Sequence, residues 1–148
     1  VVRRSKIGIG ELYIAKLDPG EKIPDILAKL AEDLRAGFLV FYGLGGFKWA
    51  KIGFFREPQG YTIIEITAPS RSAVEAASIV GSVLWTGEKY HTHVHATLGV
   101  VNSSKEPPTT YAGHLVEAEV SPLVELFVTV LSKIDISTLK ETLTHRFQ

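Results

Sequence analysis

The sequence predicts an α+β domain: a mostly antiparallel β-sheet flanked by one main helix and short helices. Two observations carry that expectation. One segment near the start has helical hydrophobic spacing. Almost everything from residue 38 to residue 131 then reads as strands joined by short turns. A doubly wound nucleotide-binding fold needs helices between its strands, and that stretch offers none. A length of 148 residues is enough for one core. We therefore expect a single domain over 1–148, with its core at about 10–132 and a tail or short helix at 133–148.

The elements follow in order. "GELYIAKL" (10–17) alternates imperfectly through Leu12, Ile14 and Ala15–Leu17 and reads as a strand. "DPGE" (18–21) is turn chemistry. "IPDILAKLAEDLRAG" (23–37) is the clearest helix, because Ile26, Leu27, Leu30, Ala31 and Leu34 share one face. Pro24 suits its first turn and Gly37 the position just past its end. "FLVFYGLGG" (38–46) is a buried strand running into glycines. "FKWAKIGFF" (47–55) and "YTIIEITA" (61–68) are strands around a turn at 56–60.

"VEAASIVGSVLW" (74–85) is another strand, and "TGEK" (86–89) turns it into "YHTHVHATLG" (90–99). A polar, Pro-containing loop spans 101–111. "AGHLVEAEV" (112–120) and "VELFVTVL" (124–131) read as two strands split by Ser121 and Pro122. Leu139, Leu143 and Phe147 fall at i, i+4 and i+8, which suits a short C-terminal helix.

Composition narrows the function. Lys plus Arg equal Asp plus Glu at 16 each, whereas a dedicated DNA binder carries a basic excess. There is no cysteine, so disulfides, zinc ribbons and thiol nucleophiles are excluded. No run of 18 apolar residues is present to span a bilayer as a helix. The start, "VVRRSKIGIG", is basic but lacks an apolar signal-peptide core, and the expected location is cytoplasmic.

Three of the five histidines, His91, His93 and His95, occupy every second position of one strand. Residues two apart on a strand share a face and lie roughly 6.8 Å apart. Two imidazoles at that spacing reach one ion with Zn–N bonds of about 2.0–2.1 Å. The outer pair, His91 and His95, lies roughly 13 Å apart by the same rise, too far for easy shared ligation. A third ligand should therefore come from a neighbouring strand, and His114 is the natural candidate. If 90–99 and 112–120 form a hairpin, His95 pairs with His114, and directly opposed Cβ atoms lie about 4.5–5.5 Å apart. Three neutral imidazoles leave a fourth position open, the layout of a catalytic zinc site. Two other readings stand beside it: structural or surface histidines, including ones packed at a subunit interface, and a purely catalytic histidine. His145 reads as a surface residue.

The remaining motifs are weaker. "GLGG" (43–46) lacks a P-loop Lys-Ser/Thr, so a tight turn or close backbone approach outweighs a phosphate loop. Glu117 and Glu119 share a strand face, but nothing marks a general acid partnered with a base. Trp49 and Trp85 read as packing residues, and Ser72 and Ser78 lack a nucleophile signature. No residue is assigned a catalytic role and no organic cofactor is expected.

"LDPGEKIPDILAKLAEDL", "GFLVFYGLGG", "VEAASIVGSV", "HVHATLG" and "GHLVEAEVSPLVELFV" together resemble the plants-and-prokaryotes conserved domain over residues 10–132. The family's pattern has a His-x-His strand and then a Gly-Gly-His-Leu strand. Here these are His93-Val-His95 and Ala112-Gly113-His114-Leu115, with Ala112 in place of the first glycine. His91 lies outside the pattern, and the loop 101–111 is longer than usual.

The resemblance implies an antiparallel sheet flanked by helices and a homotrimer. In plants the domain accompanies an AT-hook in nuclear proteins, and stand-alone prokaryotic members are often labelled predicted DNA-binding proteins. The AT-hook core Arg-Gly-Arg-Pro is missing here, and only Arg3, Arg4 and Lys6 hint at DNA. The expectation is a non-enzymatic oligomeric domain of regulatory or assembly role. Self is its main partner, its DNA contact is weak, and no membrane is involved. His93, His95 and His114 would hold zinc or another divalent transition metal. The alternative is a small metal-dependent enzyme using the same three histidines.

Overall fold

The structure, a computed structural model, describes residues 7–132 together with Asp135, Ser137 and Leu139. Arg3, Arg4, Lys6, His145 and most of the expected tail helix lie outside the described residues. The elements are β1 (Gly8–Leu17), β2 (Lys22–Ile23), α1 (Asp25–Asp33), β3 (Phe38–Arg56), β4 (Gly60–Thr67), β5 (Val74–Trp85), β6 (Tyr90–Val100) and β7 (Thr109–Ser132). Among the described residues the fold is therefore mostly antiparallel sheet with a single minor helix. The α+β label holds only loosely, and of the expected short helices the described residues include helical positions at Ser137 and Leu139.

The sheet order is β1-β7-β6-β5-β3-β4, and every pairing is antiparallel. An extra β7–β3 pairing joins β3, β5, β6 and β7 into a closed ring. Closure gives these strands an inside and an outside. Phe47, Ile79, Val94, Leu98, Leu115 and Leu126 fill one shared core, and α1 buries Leu27 and Ala31 against it. Burying a leucine side chain fully is worth about 1.5–3 kcal/mol. Neighbouring strand residues point to opposite faces. So while Leu39 and Val83 join that core, Phe38 and Leu84 form a second cluster with Leu131 and Leu139.

Two expected strand breaks are absent. The segments 38–46 and 47–55 are one strand, and 112–120 and 124–131 are another. The cause is a close crossing of β3 and β7. A Cβ on Gly43 would stand 2.2 Å from the Glu125 carbonyl oxygen, and one on Gly45 would stand 2.3 Å from that of Leu123. "GLGG" is thus the expected close backbone approach, placed in mid-strand and not at a turn. Opposite it, Ser121 and Pro122 sit where the β3–β7 register shifts, a place where a strand tolerates proline.

The helix is also shorter than the expected 23–37. Its end is set by Arg35, at φ 49°, in the left-handed position that the sequence assigns to Gly37. The Arg35 N–H donates to Glu32 O and the Ala36 N–H to Ala31 O, both at 2.9 Å, the paired bonds of a Schellman cap. Among the described residues no helix is long and apolar enough to cross a membrane.

Candidate metal centre

The β5–β6 hairpin sets the histidine register. Its turn is closed by the Thr86 N–H donating to Lys89 O at 2.9 Å, with Gly87 at φ 94°. Trp85 pairs with Tyr90, and the two rings lie 4.9 Å apart. Counting along the strand, His91, His93 and His95 stand opposite Leu84, Ser82 and Val80. On the other edge of β6, His95 stands directly opposite His114 of β7, as the hairpin reading expects.

The three rings converge. Centroids are 5.1 Å apart for His93–His95, 5.6 Å for His93–His114 and 5.5 Å for His95–His114. One nitrogen from each lies within 4.8 Å of the other two. His91 is exposed and outside this group. Among the described residues no carboxylate joins it.

His114 is the most constrained of the three. It is half-buried, and its Nδ1 is a buried nitrogen without a hydrogen-bond partner. Leaving such an atom unsatisfied costs about 1–3 kcal/mol. Burial lowers the His114 pKa from its ordinary value, and the nearby imidazoles of His93, His95 and His91 lower it further. His114 is therefore held neutral, the form that ligates a metal. On the β3 side it faces Gly53, and the Tyr61 ring of β4 lies 5.5 Å from the His114 ring. A Cβ on Gly53 would meet Tyr61 Cδ1 at 3.0 Å and Val116 Cγ2 at 3.1 Å, so the glycine makes room for both. Tyr61 and Gly53 carry no local motif. Only the β3–β4 and β3–β7 registers bring them to the site.

The acidic pair reads differently in the structure. Lys51 Nζ donates to Glu117 Oε2 at 2.9 Å, and Trp49 Nε1 donates to Glu119 Oε2 at 3.0 Å. Lys48 lies 3.5 Å from Glu119, and Lys22 and Lys51 stand over the Trp49 ring. These carboxylates are neutralised in a ladder of partners and are not arranged as an acid–base pair. Trp49 does more than pack, because it anchors that ladder.

One row of paired residues connects the histidines to an apolar surface. It runs Ile14, Phe127, Tyr42, Val80, His95, His114 across five strands. Ile14 is 77% exposed, Tyr42 61% and Val80 46%. In β1, Leu12 and Ile14 are exposed, while Ala15 is half-buried and Leu17 is buried.

A family model described as the Plants and Prokaryotes Conserved domain matches residues 4–132. A search among curated proteins finds no match. Among solved structures, a plant- and prokaryote-conserved protein from Pyrococcus horikoshii is 24% identical, with TM-score 0.75, covering 88% of this chain and 85% of its own. A metal-containing protein from Archaeoglobus fulgidus is 25% identical, with TM-score 0.72, covering 86% and 84%. A proposed DNA-binding protein from Ralstonia eutropha JMP134 is 26% identical, with TM-score 0.66, covering 80% and 76%.

Proposed function

This chain belongs to the Plants and Prokaryotes Conserved domain family, and on that premise we propose that it is an oligomeric, metal-binding domain with a regulatory or assembly role. The single observation that carries the reading is the convergence of three imidazoles, one nitrogen of each within 4.8 Å of the others, on a histidine, His114, whose buried Nδ1 has no partner. A metal ion is one of the few groups that answers such an arrangement. His93, His95 and His114 would hold it, and the all-nitrogen donor set suits zinc or a neighbouring divalent transition metal. The ion would tie β6 to β7 and supply a Lewis-acidic position. The metal-containing relative from Archaeoglobus fulgidus supports the reading.

The partner we propose is the chain itself, as a homotrimer in the cytoplasm. The exposed apolar residues Leu12, Ile14 and Tyr42 support self-association. The proposed DNA-binding relative supports a nucleic-acid contact. With zero net charge, that contact should be weak and strongly salt-dependent. The second reading, a small metal-dependent enzyme, draws on one feature: three imidazoles leave a tetrahedral ion an open position.

Elemental analysis of protein purified without an affinity tag or chelator tests the metal claim. Zinc or another divalent transition metal should co-purify in proportion to the chain. Metal-free protein that also fails to take up added zinc would remove the claim.

A further inference from the structure

We infer that the open side of the three-histidine cluster receives the carboxylate of a small organic acid whose hydrocarbon part lies on a wall formed by Val80, Val116 and Tyr61. The inference rests on the metal reading above and deepens it by naming the class of ligand.

Three neutral imidazoles leave a divalent ion its full charge, and no carboxylate among the described residues joins them. The acids that follow His114 along β7, Glu117 and Glu119, are held by Lys51, Lys48 and Trp49. The protein therefore does not neutralise the site, and the ligand that completes it should be an anion. His91, exposed on the same strand face two residues from His93, adds no negative charge.

Val80 stands directly opposite His95 and is 46% exposed. Tyr61 lies against the His114 ring, and Val116 closes on the same side over Gly53. Next to Tyr61 on β4, Ile63 pairs with Gly53 and is exposed. The row through the site has neither Lys nor Arg between Ile14 and His114. A surface that receives a nucleic-acid phosphate uses such cations to follow the backbone. An uncharged wall beside one focused positive charge instead suits a single carboxylate with an apolar remainder. Free phosphate shares the oxyanion chemistry but has nothing to lay on the wall.

The test uses the full-length protein loaded with Co2+, whose visible ligand-field absorption reports the fourth ligand. Acetate, butyrate, inorganic phosphate and a short DNA duplex are titrated separately at fixed pH. Each methylene that reaches the wall should tighten binding by up to about fourfold. Butyrate should therefore bind on the order of tenfold tighter than acetate. Val80→Ser, a change at a half-exposed position, should shrink that ratio severalfold. Equal affinities for acetate and butyrate, a preference for phosphate, or a spectral response to duplex alone would each overturn the inference while leaving the metal reading intact. A protein that never develops the cobalt spectrum would overturn both.

Discussion

His95 of β6 and His114 of β7 stand directly opposite one another, with ring centroids 5.5 Å apart and the buried Nδ1 of His114 unpartnered. In the metal-free protein that pairing is a cost. Removing the polar atom removes the penalty, so His114→Leu should leave the metal-free fold unchanged or stabilise it by about 1 kcal/mol. The same variant should lose zinc binding. Denaturant unfolding of the metal-free pair measures the first effect. A destabilisation of several kcal/mol would mean that His114 has a stabilising partner this account lacks.

The acid response of the metal-free protein follows from the same residue. Burial lowers the His114 pKa when the chain folds. Between the ordinary histidine value of about 6.5 and the lower folded value, the unfolded chain carries more protons. The penalty for protonating this buried ring is thus absent above about pH 6.5, and stability declines as the pH falls through that window. Unfolding midpoints at pH 7.5, 6.5 and 5.5 should decline more steeply for the wild type than for His114→Leu. Parallel declines would separate acid sensitivity from this imidazole.

Assembly should depend on the apolar row. Light scattering at micromolar concentration should report a trimer. Tyr42→Asp, at a position 61% exposed in one chain, should lower the assembly state without unfolding the chain. A wild-type monomer would contradict the expectation directly.

The β3–β7 crossing predicts an intolerant glycine. Gly43→Ala places a Cβ 2.2 Å from the Glu125 carbonyl oxygen, a backbone atom that cannot rotate away. The cost should be about 1–3 kcal/mol or more, read as a lower thermal or denaturant midpoint. A wild-type midpoint would mean the strands separate more freely than their register implies.

Much of this architecture was legible in the chain because strand periodicity is local. The hairpin over 74–100 and the alternation of His91, His93 and His95 needed only the period of two and the "TGEK" turn. The pairing of His95 with His114 needed one further assumption, a hairpin across the loop after residue 100. The family's His-x-His and Gly-His-Leu pattern falls on the same three histidines, His93, His95 and His114. What stayed hidden is non-local. Glycines and a proline normally punctuate strands, so β3 and β7 read as four strands and not two. The reason for their continuity, a crossing between residues about 80 positions apart, leaves no local mark. Tyr61 and Gly53 were invisible for the same reason. Arg35 took the place expected of Gly37 because the cap forms two residues earlier, and propensity alone does not fix that choice.

The central claim is that His93, His95 and His114 form one metal site and His91 does not. Zinc affinity measured by competition with a chelator, across the single alanine variants of these four residues, tests it most directly. Outer-sphere partners of a metal are worth about 10–100-fold in affinity, so loss of a true ligand should cost at least about a hundredfold. Losses of that size are expected for His93→Ala, His95→Ala and His114→Ala, with near wild-type affinity for His91→Ala. Equal losses at His91 and His95 would contradict the assignment of ligands, and unchanged affinity in all four variants would contradict the metal centre itself.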